Sequence, residues 1–277
     1  MPRRQVFEFG DLPWVPTRFK HYLTDVLSIS VTVGETIGDV FCLEPVLDEI
    51  IDILEQTGTD RIIDLCSGAA VPPTTLQRRL AARGVKTEVV LTDLRPNLAA
   101  FQHAAETTGC SYSAEPIDAT DVPDKLIGLR TVFNAFHHFP PDLARSILTD
   151  TVAKQQGILI IEIPHRSLLG AMSMSAFSLL TLGLTPLIRP FSLDRILWTY
   201  LVPIVPMMIG VDGFMSSVRA YDTDELTALT GGLSADYTWR IYRARGKGMP
   251  LAATVLLGRP APRDNNAGQP IDPPRST

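Results

Sequence analysis

Across residues 61–163, short runs of β-branched and other apolar residues alternate with longer amphipathic stretches. RIIDL, TEVVLTD, LRTVFNAF and GILIIEI read as strands, and near-continuous apolar runs suit parallel strands covered on both faces. Two intervening stretches read as helices. Residues 72–82 set Leu76 and Leu80 one turn apart, and residues 141–156 set Leu143, Ile147, Leu148 and Val152 on one face behind Pro141. Strand and helix recurring in this order predict an α/β fold with a doubly wound, mostly parallel sheet. Residues 237–241 and 251–257 continue the strand pattern, and residues 16–30 and 42–56 predict two N-terminal helices over the sheet or its mouth.

Composition narrows the function. A net charge of −5 and a pI near 5.5 give no cationic field for phosphates, which argues against nucleic acid as partner. The three cysteines, Cys42, Cys66 and Cys110, lack C-x-x-C spacing and cannot form an even disulfide framework, so a reducing compartment is expected. MPRRQVFEFGDLPW has no apolar core of a secretory signal, which predicts a cytoplasmic protein. The 277 residues are expected to divide into an N-terminal helical segment (1–57), an α/β domain (58–257) and a disordered tail (258–277) rich in Pro, Asn and Asp.

Ligands of doubly wound sheets bind outside the carboxyl ends of the strands, which directs attention to the loop RIIDLCSGAAVPPTT. Its Ser, Gly and Ala residues let a ligand approach the backbone ahead of the free N–H groups of a helix. Asp64 is placed either to orient this loop or to meet a ligand's ammonium group. Asp93 ends the next strand 25 residues after Gly68, near the spacing at which a carboxylate takes a ribose diol; taken singly it also reads as a turn residue before Pro96. Asp118 follows at a spacing that fits an adenine amine, or serves as an Asx-type turn. G-x-G-x-x-G is absent, which disfavours a pyrophosphate-bearing dinucleotide and with it a nicotinamide-dependent oxidoreductase. A ligand with ribose, adenine and an amino-acid tail but no phosphate fits better, and S-adenosylmethionine is such a molecule.

With DLCSGAA, LTDLRPN, IDATDVP, TVFNAFHHFPP and GILIIEIP as five successive motifs, the chain resembles the seven-stranded Rossmann-like S-adenosylmethionine-dependent methyltransferases over residues 43–257. It is also similar to a bacterial subgroup with an FHHF signature and the block WTYL-x-P-x-x-P…DG…S-x-x-R-x-Y, here Trp198 to Tyr221. The resemblance implies a seven-stranded sheet and a cofactor site of Asp64, Cys66, Gly68, Asp93, Leu94, Asp118, Ala119 and Asn134. The chain departs from the family where Cys66 and Ala70 replace the outer glycines of the first motif.

The histidines His137 and His138 follow the fourth strand and are candidate general bases or simple loop caps; Glu162 and His165, at the end of the fifth, are further catalytic candidates facing the acceptor, Glu162 otherwise simply terminating the strand. A metal is not expected, because adjacent histidines generally do not converge on one ion without further ligands. Asp212 and Arg219 are read as a buried ion pair or as substrate contacts. Tyr221 is read as a substrate contact or as a staple onto Leu226 beside an Asp222–Glu225 helix-start box.

Residues 167–188 form 22 consecutive uncharged residues, and 16 more lie between Arg195 and Asp212. About 20 apolar residues suffice to cross a bilayer, but Ser, Thr, Gly, Pro203 and Pro206 interrupt these runs. The expectation for this insertion (166–221) is a helical cap over an apolar pocket, walled by Phe177, Leu180, Leu184, Trp198, Tyr200 and Met207–Met208, or a peripheral membrane contact through 167–211. Together these readings predict a methyltransferase for a hydrophobic small molecule. The alternative is a membrane-attached binding or regulatory protein that keeps the fold without the chemistry.

Overall fold

The computed structural model describes residues 2–249 and 251–261. Seven strands form one sheet: β1 (Arg61–Leu65), β2 (Glu88–Leu91), β3 (Ser111–Tyr112), β4 (Leu129–Phe133), β5 (Ile158–Glu162), β6 (Tyr237–Ala244) and β7 (Ala253–Pro260). Their order is β3-β2-β1-β4-β5-β7-β6. The first five run parallel, and β7 enters antiparallel between β5 and β6. The fold is therefore the expected α/β doubly wound, Rossmann-like sheet, with the strand order reversing between β1 and β4.

Period-two alternation decides which face each strand residue covers. Ile62, Leu159 and Ile161 join one buried cluster, whereas Ile63, Ile158 and Ile160 join the other. On the first face lie α2 (Leu47–Thr57), α3 (Val71–Ala82) and α4 (Leu98–Thr108), through residues such as Ile53, Leu76, Leu80 and Phe101. On the second lie α5 (Pro141–Ala153) and, from further along the chain, α10 (Thr223–Thr230), through Ile147, Leu148 and Leu226. Leu143, expected on the buried face of α5, is 46% exposed, because its position falls at the solvent edge of the stripe.

The remaining helices form a separate layer. N-terminal helix α1 (Thr17–Ile37) runs past Ser30, the expected end of that element. Its Phe19, Leu23 and Val26 pack with Ile188, Val205 and Met208 of the insertion in a third cluster. The insertion contains α6 (Leu168–Ala176), α7 (Ser178–Leu184), the short α8 (Leu193–Ile196), a π-helical turn at Leu197–Leu201, and α9 (Ile204–Arg219). Between Leu193–Leu201 and α9 the axis bends by 70°, where Pro203 and Pro206 remove backbone donors. At the other end of the domain β7 continues to Pro260, so residues 258–260 belong to the sheet and not to a disordered tail. The rest of that expected tail, from residue 262, lies outside the described residues.

Candidate functional site

The loop after β1 folds back onto β2 because Asp64 organises it from beneath. The Asp64 side chain is 1% exposed and accepts hydrogen bonds of 2.6 Å from Ser67 Oγ and of 2.6 Å from Thr131 Oγ1, its register neighbour on β4. Burial pushes the Asp64 carboxyl up to about 7, against the pull of those two hydroxyls and with a further push from the Asp93 charge. Of its two expected roles the structure supports the first, orientation of the loop, since the carboxyl does not reach an open surface. Three residues of this loop, Cys66, Gly68 and Ala70, adopt left-handed φ of 61°, 52° and 61°. Glycine is free there, but Cys66 and Ala70 carry a steric cost of about 1–2 kcal/mol each, so these outer positions keep the glycine backbone without glycine.

Backbone hydrogen bonds stitch the neighbouring loops together. Ser67 N–H donates to Thr92 O at 2.9 Å, and Ile117 N–H donates to Asp93 O at 2.9 Å. Asp93 itself accepts from Gly68 N–H at 3.0 Å and Arg95 N–H at 2.8 Å, and it is partly exposed. Asp118 is exposed and makes the Asx turn through Oδ1 to Thr120 N–H and Oγ1; its Oδ2 has no hydrogen-bond partner among the described residues. Leu94 stands exposed beside Asp93, and Ala119 is buried. Cys66 feels all of this chemistry. Burial, then the charges of Asp93, Asp64, Asp118 and Glu162, push its thiol far up, so it is neutral among those carboxyl groups. The three cysteines are free, as expected.

At the tip of β4, Asn134 takes a left-handed φ of 50°, which asparagine tolerates, and its Oδ1 accepts Ile163 N–H at 2.8 Å. The chain then turns through a 3₁₀ segment, Phe136–His138, clamped by Glu162. Glu162 accepts Phe136 N–H at 2.8 Å and contacts His137 Nδ1 at 2.5 Å, so both its oxygens are occupied with the turn. It is a positioning residue for His137. His165 packs against Gly170, where an added Cβ would lie within 2.9 Å of its ring.

The surroundings of the histidine pair contain residues that the sequence did not mark. Residues 3–12 cross the turn as a strap: Arg3 donates to Phe139 O at 2.9 Å, Gln5 to His138 O at 3.0 Å, and Asp11 contacts His138 Nδ1 at 3.2 Å. Glu8, 6% exposed, lies between the two imidazoles, each Nε2 being 3.6 Å from one of its oxygens. Burial pushes the Glu8 carboxyl up, while the charges of His138 and Arg219 pull it back. The rings stack 4.4 Å apart. A third group from the far N-terminus, Glu8, therefore faces both adjacent histidines. No local signal identifies Glu8 or Asp11, since their partners lie more than a hundred residues away.

Of the expected substrate residues, Arg219 and Tyr221 hydrogen-bond to the turn after β4, Asp212 to the strap, and Trp198 and Tyr200 within the insertion. Asp212 and Arg219 do not pair with each other. Asp212 accepts from Phe9 and Gly10 N–H at 2.7 and 3.3 Å, and Arg219 pairs with Asp11 at 2.7 Å and Glu8 at 3.2 Å while donating to His138 O at 3.0 Å. Both sit on α9 facing the strap, which supplies better partners than a residue two turns along the same helix. Tyr221 donates to Phe139 O at 2.7 Å, and Asp222 with Glu225 forms the capping box at the start of α10, in line with the staple reading. Trp198 donates to Asp194 at 2.9 Å and packs edge-on against Phe19, and the Tyr200 hydroxyl donates to Leu182 O. The expected pocket wall divides: Phe177, Trp198 and Met208 join the helical core, whereas Leu180, Tyr200 and Met207 face outward.

No protein-family model matches the chain, and no curated protein matches it. Solved structures do resemble it. An O-methyltransferase family protein from Burkholderia thailandensis aligns over 81% of this chain and 58% of its own at 12% identity, TM-score 0.46. Magnesium protoporphyrin IX methyltransferase from Synechocystis PCC 6803, solved with bound SAM, aligns over 79% and 80% at 9% identity, TM-score 0.43. LepI, solved in complex with SAM, aligns over 75% of this chain at 14% identity, TM-score 0.43, and the chain spans only 46% of LepI's length. The fold assignment rests on the strand order itself.

Proposed function

We propose that this protein is an S-adenosylmethionine-dependent methyltransferase acting on a hydrophobic small molecule or lipid-like metabolite. The observation that carries the reading is the meeting of three loops at the β1–β4 switch point, with two carboxylates, Asp93 and Asp118, left accessible. Asp93 retains lone pairs for a ribose diol, the free Oδ2 of Asp118 suits an adenine amine, and exposed Leu94 offers an apolar face for the ring. Gly68, where a Cβ would meet only Cys66 O, at 4.0 Å, admits close approach to the backbone. These features fit the cofactor, which would supply a methyl group on a positively charged sulfur. The chain's own task is then to place the acceptor in line and exclude water. Through Nδ1, His137 is engaged with Glu162 and His138 with Asp11, and Glu162 also holds the turn, so none is assigned as a free base.

Asp93→Ala is expected to weaken cofactor binding by about 1–3 kcal/mol, the cost of unpaired polar groups. Calorimetric titration with S-adenosylmethionine measures it, and unchanged affinity in a folded variant removes Asp93 from the site.

The insertion supports a greasy acceptor and a lipid surface to draw it from. Leu168–Leu187 is long and apolar enough to cross a membrane, yet only 22% of it is buried. Leu169, Leu179, Leu187, Leu193 and Leu201 are each more than half exposed on elements that pack together. Large exposed apolar patches mark membrane or protein contacts. The protein is expected to float with neutral phosphatidylcholine liposomes, and Leu179→Glu with Leu201→Glu to leave it in the dense fraction. Complete absence of the unaltered protein from the lipid layer contradicts peripheral attachment.

A further inference from the structure

We propose that Glu8, His137 and His138 form a binding site for one divalent transition metal, zinc being the ion that the ligand set suits best. One ligating atom from each residue lies within 4.8 Å of the others. The two Nε2 atoms stand 3.6 Å from the two oxygens of the same carboxylate, too far for hydrogen bonds. Ligands held at about 2.0–2.2 Å in a tetrahedral zinc site stand about 3.4 Å from one another, close to the 3.6 Å between His138 Nε2 and Glu8 Oε2.

Two further observations point the same way. His137 is 3% exposed, and its Nε2 has no hydrogen-bond partner among the described residues, although it faces a carboxylate. A buried imidazole nitrogen in that state is costly unless something satisfies it. The opposite nitrogens are both held by carboxylates, Nδ1 of His137 by Glu162 at 2.5 Å and Nδ1 of His138 by Asp11 at 3.2 Å. This is the outer-shell arrangement that fixes Nε2 as the bare lone pair and raises its basicity toward a metal.

The composition agrees. Four carboxyl groups, Glu8, Asp11, Glu162 and Asp212, lie around the pair against two guanidinium groups, Arg219 and Arg3. Arg219 shares Oε1 of Glu8 at 3.2 Å, leaving Oε2 for the ion. Two histidines and one glutamate complete three positions of a tetrahedron, and the fourth remains for water or an oxygen ligand. Such an ion would also fasten the N-terminal strap to the loop after β4.

The test uses the full chain, stripped with chelator and titrated separately with Zn²⁺ and with Co²⁺. One equivalent is expected to bind with a Kd below about 1 µM, and the Co²⁺ form to show the visible absorption of a tetrahedral ion. Glu8→Gln and His138→Gln are each expected to weaken binding at least about tenfold, and Asp11→Asn about 10–100-fold through the outer shell. Circular dichroism checks that each variant is folded. A protonated imidazole bridging to Glu8 would give no Co²⁺ spectrum, and that result, or equal affinity in the Glu8→Gln and His138→Gln variants, overturns the site. The readout is the metal itself, so failure here leaves the methyl-donor reading standing.

Discussion

Arg219→Met is expected to destabilise the protein by about 3–5 kcal/mol, read as a drop in the urea unfolding midpoint. The guanidinium is 2% exposed and binds Asp11, Glu8 and the carbonyls of His137 and His138 at once. Methionine keeps most of the volume but leaves Glu8 buried with its pull toward ionisation reduced. Glu8 already sits above the usual carboxylate range through burial, so the variant should also take up a proton there at higher pH than the unaltered protein. Because Arg219 ties the strap, α9 and the histidine turn together, protease cleavage within residues 3–12 should speed up in parallel. A loss below about 1 kcal/mol, the level of an exposed pair, would mean that the cluster is not held by this side chain.

The second large effect is a pH dependence from Asp64. Its carboxyl titrates at about 7 when folded and at 3.8 by its ordinary value. As pH rises above about 4 the unfolded chain gives up this proton, while the folded chain keeps it until about 7. The unfolded state then binds fewer protons, so stability falls with rising pH across that window and levels off above it. About three pKa units correspond to about 4 kcal/mol. Asp64→Asn removes the titration and keeps the shape, with the Ser67 and Thr131 hydroxyls free to turn. Unfolding free energies of the two proteins, compared from pH 4 to 8, should therefore diverge in this window, with the unaltered protein losing ground. A constant difference at every pH would show that Asp64 is ionised in the folded state.

The fold was largely legible because its signals are local. Apolar runs marked β1, β2, β4, β5, β6 and β7 within a few residues, and Pro141 and the Asp222–Glu225 box marked helix starts that the structure contains. The two-residue β3 gave no such run; it is a strand only because Ser111 and Tyr112 pair with β2. The candidate site was legible in part. Strand-tip acids follow from where strands end, and Asp93 and Asp118 do sit at one edge of the sheet. What each carboxylate does there was not legible, since Asp64 is spent on Ser67 and Thr131 and only packing reveals it. The apolar insertion was evident as composition, but which of its residues face inward depends on α1 docking against it.

The sequence by itself determined the kind and order of the elements and put Asp93 and Asp118 in loops past strand ends, because hydrophobic periodicity and turn chemistry act within a few residues. Tertiary structure alone decided that Glu8 and Asp11 cross to His137 and His138, that Arg219 serves that cluster and not Asp212, and that the insertion turns leucines outward. Those outcomes depend on partners such as Arg219 and Asp11, 208 residues apart, and on which groups lose their water together. Burial and long-range pairing are properties of the packed chain, and no short stretch of it contains them.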